Sequence, residues 1–504
     1  MNLLLPAPLL IPLFCAILSL LARKSIGTQR FVAVVGCFLN LLVSACLLYG
    51  VDKEGIQVVQ AGSWPAPYGI SLVVDRLSAI MLVLSGLMGA AVAVFSLAAI
   101  DEPRQKFGFF FFFHTLLMGV NGSFLTGDLF NLYVWFEVML MSSFALMSLG
   151  SERAQLEGGI KYVALNVLST AFFLAALGIL YGMTGTLNMA HLATIAQSAG
   201  SHGMLTTVSM LFMVAFGIKS AAFPLFFWLP ASYHTPPSPV SAIFAGLLTK
   251  VGVYALIRIF TLVFVHDAGF THTILLVASG LTMLTGVLGA AAQMEMRRIL
   301  SFHIVSQVGY MIMGLGLFTP LALAGSVFYI IHHVIVKTNL FLVAGVVAVR
   351  TGTNELKALG GFVRAMPWLA LLFLVPAMSL AGLPPLSGFF AKLMLIVASF
   401  RESSWIIAVT ALAVGFLTLY SMTKIWNEVF WKPMPAAASE AMAQRPWTVR
   451  DRVCLFGPII ALALCTVLIG FGVEPVFALS ERTAGQLLNP DEYIRAVLKE
   501  AVRP

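Results

Sequence analysis

Long apolar runs separated by short polar clusters cover almost the whole chain. A helix needs about 20 mostly apolar residues to cross a bilayer. Runs of that kind recur at 3–22, 30–50, 72–99, 107–125, 127–149, 161–186, 205–231, 238–264, 272–292, 298–318, 323–349, 368–401, 404–431 and 454–477. The pattern predicts an all-α polytopic membrane protein with about fourteen transmembrane helices. The longest intervening stretches, 51–71, 187–204, 350–367, 432–453 and the tail from Ala478, are too short to bury cores of their own. The first run, MNLLLPAPLLIPLFCAILSLLARK, has no basic segment ahead of it and no small-residue cleavage site after it, so it reads as the first helix, not as a signal peptide.

Two of the runs are interrupted. The seventh contains GIKSAAFPLFFWLPA, with Lys219 just ahead of Pro224 and Pro230. The twelfth contains SLAGLPPLSGFFAKLML, with Pro384 and Pro385 just ahead of Lys392. Proline removes a backbone donor and crowds the preceding turn, and a freed carbonyl at membrane depth survives only where protein or water satisfies it. Broken helices at matching positions of two halves point to inverted repeats. The expected organisation is residues 1–106 for helices 1–3, 107–264 for a first five-helix repeat (helices 4–8), 265–431 for a second (helices 9–13), and 432–504 for a loop, the last helix and a tail.

Composition agrees with this picture. Of 504 residues 60% are hydrophobic and only 10% charged, with a mean hydropathy of +0.97. A soluble protein carries about a quarter charged residues, so a cytosolic enzyme, a nucleic-acid binder and a disordered chain are all excluded. Loops after odd-numbered helices hold Arg23, Lys24, Arg30, Arg104, Lys106, Arg153, Lys161, Arg297, Arg298, Arg350, Lys357, Arg364, Lys432, Arg445, Arg450 and Arg452; loops after even-numbered ones hold only Lys53, Arg76 and Arg401. By the positive-inside rule the odd loops are cytoplasmic and both termini lie outside. The tail, with Arg482, Arg495, Lys499 and Arg503, breaks the rule mildly. All five cysteines fall in apolar runs without ligand-like spacing, and no metal or cofactor motif is present.

Six basic residues remain inside spans: Lys219, Lys250, Arg258, Lys337, Lys392 and Lys424. Glu137, in LYVWFEVMLMSS, is the acid near the middle of a span. A charge at the centre of a membrane helix costs about 2.5–3.5 kcal/mol on insertion scales, so these groups need partners or water. Glu137 paired with Lys219 would make a switchable proton site; a carboxyl simply neutralised by burial is the plainer reading. Lys250, Lys337 and Lys392 extend the series through the eighth, eleventh and twelfth helices. His333 and Lys337, four apart, share a helix face, and a histidine titrates near neutral pH. His332 faces elsewhere and reads as an ordinary contact between helices. His234, in SYHTPPSPVSA, is a candidate for an access path from outside, and His303 for one near the cytoplasmic end of the tenth helix. Arg258, Lys424 and Glu428 lie nearer helix ends and read as interfacial anchors.

These residues carry a resemblance. GIKSAAFPLFFWLPASYHTPPSPVSAIFAGLLTKVGVYALIR and SLAGLPPLSGFFAKLM resemble the antiporter-like proton-pumping subunits shared by respiratory complex I and the Mrp multisubunit cation/proton antiporters. The likeness covers about residues 70 to 430, and GSWPAPYGISLVVDRLSAIMLVLS makes the chain most similar to the D-type subunits of Mrp antiporters. The resemblance implies a fourteen-helix fold with inverted repeats. It also implies that Glu137 and Lys219 match the family's Glu–Lys pair, Lys250 the central lysine of the first half channel, His333 and Lys337 the relay of helix 11, and Lys392 the terminal site. One complex I subunit of this type has glutamate in place of that terminal lysine, which sets it apart from this chain. The implied function is that of a non-enzymatic, proton-translocating subunit of a Na⁺/H⁺ antiporter in the bacterial inner membrane, working only with other Mrp subunits and without cofactors. The alternative is a proton-pumping subunit of a complex I-like or hydrogenase-type redox complex.

Overall fold

The computed structural model describes residues 4–198, 202–444 and 447–498; Arg445, Lys499 and Arg503 lie outside the described residues. Among the described residues eleven helices are long and apolar enough to cross a membrane, and Ala7–Leu21, Phe109–Leu125 and Pro367–Ala381 are shorter apolar helices. The chain is a polytopic, all-helical membrane protein. A small antiparallel pair of strands, Gln57–Gln60 with Ser71–Val74, is added beside the start of the Arg76–Ala99 helix.

The helices begin where polar residues cap them. Asp75, Asp128 and Thr319 accept from the backbone N–H groups of Ser78, Asn131 and Ala322, and Thr448 forms a reciprocal capping box with Asp451. Each cap satisfies a donor that the first turn leaves free. Burial is inverted relative to a soluble protein. Leu21, Ile406 and Phe471 are exposed on the outside, whereas Lys250, Lys337 and His333 are fully buried. The Ser238–Leu262, Met296–Leu317 and Pro320–Thr351 helices form the centre and are almost entirely enclosed. Gly286, Gly309 and Gly316 let Ala268–Ala292 and Met296–Leu317 approach until a Cβ would meet the facing helix within 3 Å. Small residues at such a seam are the usual means of close helix packing in lipid.

The twelfth apolar run is not one helix. It divides into Pro367–Ala381 and Ser387–Arg401, separated by Gly382 at φ +94° and by the two prolines. The seventh run stops at Ser220 and resumes as the short Trp228–Ser232 helix. In the stretch FGFFFFF at 107–113, Phe109, Phe110 and Phe113 are buried packing groups and Phe107 is strongly exposed.

One turn device occurs at two places along the chain. The turn after Arg153–Thr184 bonds Met189 N–H to Gly127 O and Leu129 N–H to Leu187 O, both at 2.9 Å, and bridges Asp128 to Asn188. At a constant offset of 167 positions (128 to 295, 184 to 351), Leu356 N–H bonds to Met294 O and Met296 N–H to Asn354 O, again at 2.9 Å, with Glu295 bridged to Glu355. Thr184 and Thr351 each accept from the threonine two residues on. The first copy lies beside the strand pair and the second beside Arg297, on the faces that the basic-loop count separates.

Candidate functional site

Lys250 follows a π turn at Phe244–Leu248. Such turns leave the normal helical ladder and recur at functional positions. Lys250 Nζ donates to the carbonyl of Ala245 inside that turn. Lys337 Nζ donates to Leu300 O of the adjacent helix at 3.1 Å. One turn before it, His333 is fully buried, stacks on Tyr329 with centroids 6.4 Å apart, and has neither ring nitrogen hydrogen-bonded among the described residues. His333 lies within electrostatic reach of Lys250 and Lys337.

Lys392 is held by the break in its own run. Its Nζ donates to Leu380 O at 2.9 Å and to Ala381 O at 3.0 Å, the last carbonyls of the Pro367–Ala381 helix, and lies 5.1 Å from the Tyr310 ring centre. A helix C-terminus presents unpaired carbonyls and partial negative charge, so the interruption serves the ammonium directly. Lys392 also lines a cavity of about 360 Å³ with Gly382, Pro384, Gly415 and Phe416.

Three groups between Lys337 and Lys392 were not assigned to the series by sequence. His332 Nδ1 lies 2.8 Å from Ser387 Oγ, which in turn is 3.1 Å from Ser379 Oγ. It is an interhelical contact, as expected, but it ties the Pro320–Thr351 helix to the break beside Lys392. Tyr329 stacks on Tyr310 at 5.1 Å and donates to Gln307 Oε1. The histidine doublet was visible in the sequence; the tyrosine pair carried no signal there, because its partners come from different helices.

Several expectations are corrected. Glu137 and Lys219 are not in ion-pair contact: Thr170 donates to the Glu137 carboxylate at 2.6 Å, and Lys219 Nζ lies 5.7 Å from the Phe136 ring centre without a hydrogen-bond partner among the described residues. The two remain within electrostatic reach. His303 is fully buried and within electrostatic reach of Lys337, Lys392 and Lys424. His234 shares the face of the basic loops: its loop is fastened to Arg297 through Pro236 O at 2.8 Å and faces Arg298 and Lys161. Its Nδ1 lies 2.9 Å from Pro230 O, the local bond of a turn histidine. Arg258 is no snorkelling anchor but is buried against Asp75 at 2.6 Å. Lys424 caps the end of Ala268–Ala292 through Ala291 O and Gln293 O, and Glu428 pairs with Lys432 at 2.7 Å.

Lys250, His333, Lys337, His303, His332 and Lys392 are all buried, and each of the three histidines lies within electrostatic reach of at least two lysines. None of Lys219, Lys250, Lys337 and Lys392 is in an ion pair among the described residues. A buried ammonium without a carboxylate in contact keeps or loses its proton according to small changes around it. Such a series is suited to passing protons. Among the described residues no group of three or more His, Cys, Asp and Glu is placed to hold a metal ion.

Residues 126–418 match the family described as NADH:quinone oxidoreductase/Mrp antiporter, TM. The D-type Na(+)/H(+) antiporter subunit of Alkalihalophilus pseudofirmus is 47% identical over 99% of this chain and 100% of its own length. That of Bacillus subtilis is 38% identical over 98% and 99%. Among solved structures, the Mrp complex from Dietzia sp. DQ12-45-1b contains a chain 32% identical, with TM-score 0.90 over 99% of this chain and 100% of that one. An archaeal membrane-bound sulfane sulfur reductase shares the fold, with TM-score 0.90 at 24% identity. The chain belongs to the NADH:quinone oxidoreductase/Mrp antiporter transmembrane family, in the branch of the D-type Mrp subunits.

Proposed function

We propose that this chain is the proton-translocating subunit of a multisubunit monovalent cation (Na⁺)/proton antiporter, assembled with other Mrp subunits in the bacterial cell membrane. The names of its relatives support the antiport of Na⁺ and H⁺, and the Mrp complex supports a hetero-oligomer. Such a subunit is a transporter component, not an enzyme. The basic loops would face the cytoplasm and both termini the outside. The two five-helix units would be 107–264 and 265–431, a reading supported by the turn repeated at an offset of 167 positions (128 to 295).

The observation that carries the proposal is the buried Lys/His series from Lys250 to Lys392. A proton loaded at Lys219 or Lys250 would pass by His333 to Lys337, and by His303 and His332 to Lys392. Glu137 would act as the switch: at contact distance of about 4 Å and an effective dielectric near 20, its charge is worth about 4 kcal/mol. That changes the proton occupancy of a neighbouring group by about a thousandfold. The open Glu137–Lys219 arrangement is one of the two states such a switch requires.

The test uses the assembled complex in everted vesicles, reading cation-driven proton movement for Lys250→Ala and Lys337→Ala. Each variant should lose most of the flux while the complex still assembles. Wild-type flux in both would show that protons travel elsewhere.

A further inference from the structure

Lys250, Tyr254 and Arg258 are spaced at i, i+4 and i+8 on the Ser238–Leu262 helix, so they share one face and span about 12 Å along its axis. The row ends in a buried cluster. Arg258 Nη1 donates to Asp75 Oδ2 at 2.6 Å, with side chains 4% and 2% exposed, and Asp75 Oδ1 accepts from Ser78 N–H at 2.8 Å. Tyr254 Oη lies 2.9 Å from Ser78 Oγ, donates to Phe124 O at 2.9 Å, and accepts from Arg258 Nη2 at 3.3 Å. The Tyr493 ring, from the Pro490–Leu498 helix, covers the guanidinium at 5.2 Å. That helix is fastened to the same face: Gln60 donates to Val497 O, and Gln486 bridges Arg76 N–H and Glu492.

A buried ion pair is a poor source of stability, since a hydrophobic pair of the same volume often does as well. Its chemistry here is more specific. The hydroxyls of Tyr254 and Ser78 each donate and accept, so they can relay a proton. A guanidinium has five donors, no acceptor, and keeps its proton at any physiological pH. Lys250 itself donates to Ala245 O and, among the described residues, is not bonded to this cluster, but a water-filled path opened from it toward the surface would meet Tyr254 and stop at Arg258.

We propose that the Asp75–Arg258 pair, roofed by Tyr493, is a proton insulator that closes the relay at Lys250 toward the face bearing the C-terminal helices. Arg258 and Asp75 act by position, not by carrying protons. The inference rests on the proton-relay reading above and adds its outer barrier. Without the pair, neutral side chains and the shorter residue at 258 admit water between Tyr254 and the surface, and protons reach Lys250 without cation exchange.

The experiment uses proteoliposomes holding the assembled complex in choline medium free of Na⁺, K⁺ and Li⁺, with a permeant anion for charge balance. The readout is the rate at which an imposed pH gradient collapses. Asp75→Asn with Arg258→Gln, which removes both charges together, should raise the rate at least fivefold over wild type. Adding Lys250→Ala should return it to within twofold. A double variant that assembles and collapses the gradient no faster than wild type overturns the proposal, as does a leak that survives Lys250→Ala. If the double variant does not assemble, Tyr493→Ala decides: a Lys250-dependent leak supports the insulator, and a wild-type rate refutes it. Na⁺-driven flux in the wild-type complex is read separately, so a failure of the antiporter reading is recognised independently of the leak.

Discussion

Gly252 lies two residues beyond Lys250 and packs on the broken end of the helix that carries Lys219. A Cβ added there would stand 2.6 Å from Ser220 N, 2.8 Å from Lys219 C and 3.0 Å from Ser220 Cα. All three are backbone atoms, so none can rotate away. Restoring a 3.4 Å contact requires the two helices to separate by about 0.8 Å, the difference between 3.4 and 2.6 Å. Overpacking of this kind costs about 1–3 kcal/mol, and the separation falls between two lysines whose proton exchange, in the proposed mechanism, depends on geometry. A misplacement of about 1 Å can cost a reaction about a hundredfold. Gly252→Ala should therefore lower both the thermal stability of the assembled complex and its cation-driven proton flux, the latter at least tenfold. Gly182→Ala is the control, because its Cβ meets nothing within 4 Å on an exposed helix face; it should be neutral or stabilising by about 0.5–1 kcal/mol. Wild-type flux and stability in Gly252→Ala would refute the claim that this close approach sets the Lys219–Lys250 geometry.

Lys392→Met should abolish proton movement without preventing assembly, since its ammonium is held by the Leu380 and Ala381 carbonyls and the Tyr310 ring and no ion pair among the described residues is broken; blue-native electrophoresis beside vesicle flux reads the two effects apart. Tyr329→Phe removes the hydroxyl that satisfies buried Gln307. It should cost about 1–3 kcal/mol, read as a lower melting temperature, and should slow flux through the His333 to Lys392 segment. Burial, reinforced by Arg298, lowers His234 to about 4 from its ordinary 6.5. The folded chain thus binds fewer protons there than the unfolded chain between about pH 4 and 6.5, so the stability lost at this site grows as pH falls through that window. His234→Gln should weaken the acid sensitivity of thermal unfolding over that range and leave the transport pH profile above 6.5 unmoved.

Sequence alone determined the solvent and the cast of residues. Apolar runs of bilayer length, with 10% charge in 504 residues, dictate spanning helices. The same scarcity singles out Lys219, Lys250, Lys337 and Lys392, because a charge in an apolar run needs a reason. Proline and glycine marked both helix breaks, since their effects on the backbone are local. Pairing was another matter. Arg258 read as an anchor because its partner, Asp75, lies 183 positions away (75 to 258) at a helix cap. Glu137 read as bonded to Lys219, yet Thr170 holds it. His234 read as a loop histidine, and packing sets it among the basic loops; His303 is enclosed in the core. Composition and periodicity fix which side chains are too polar for lipid. Only helix packing, the sum of many contacts between distant segments, decides which acceptor each of them finds.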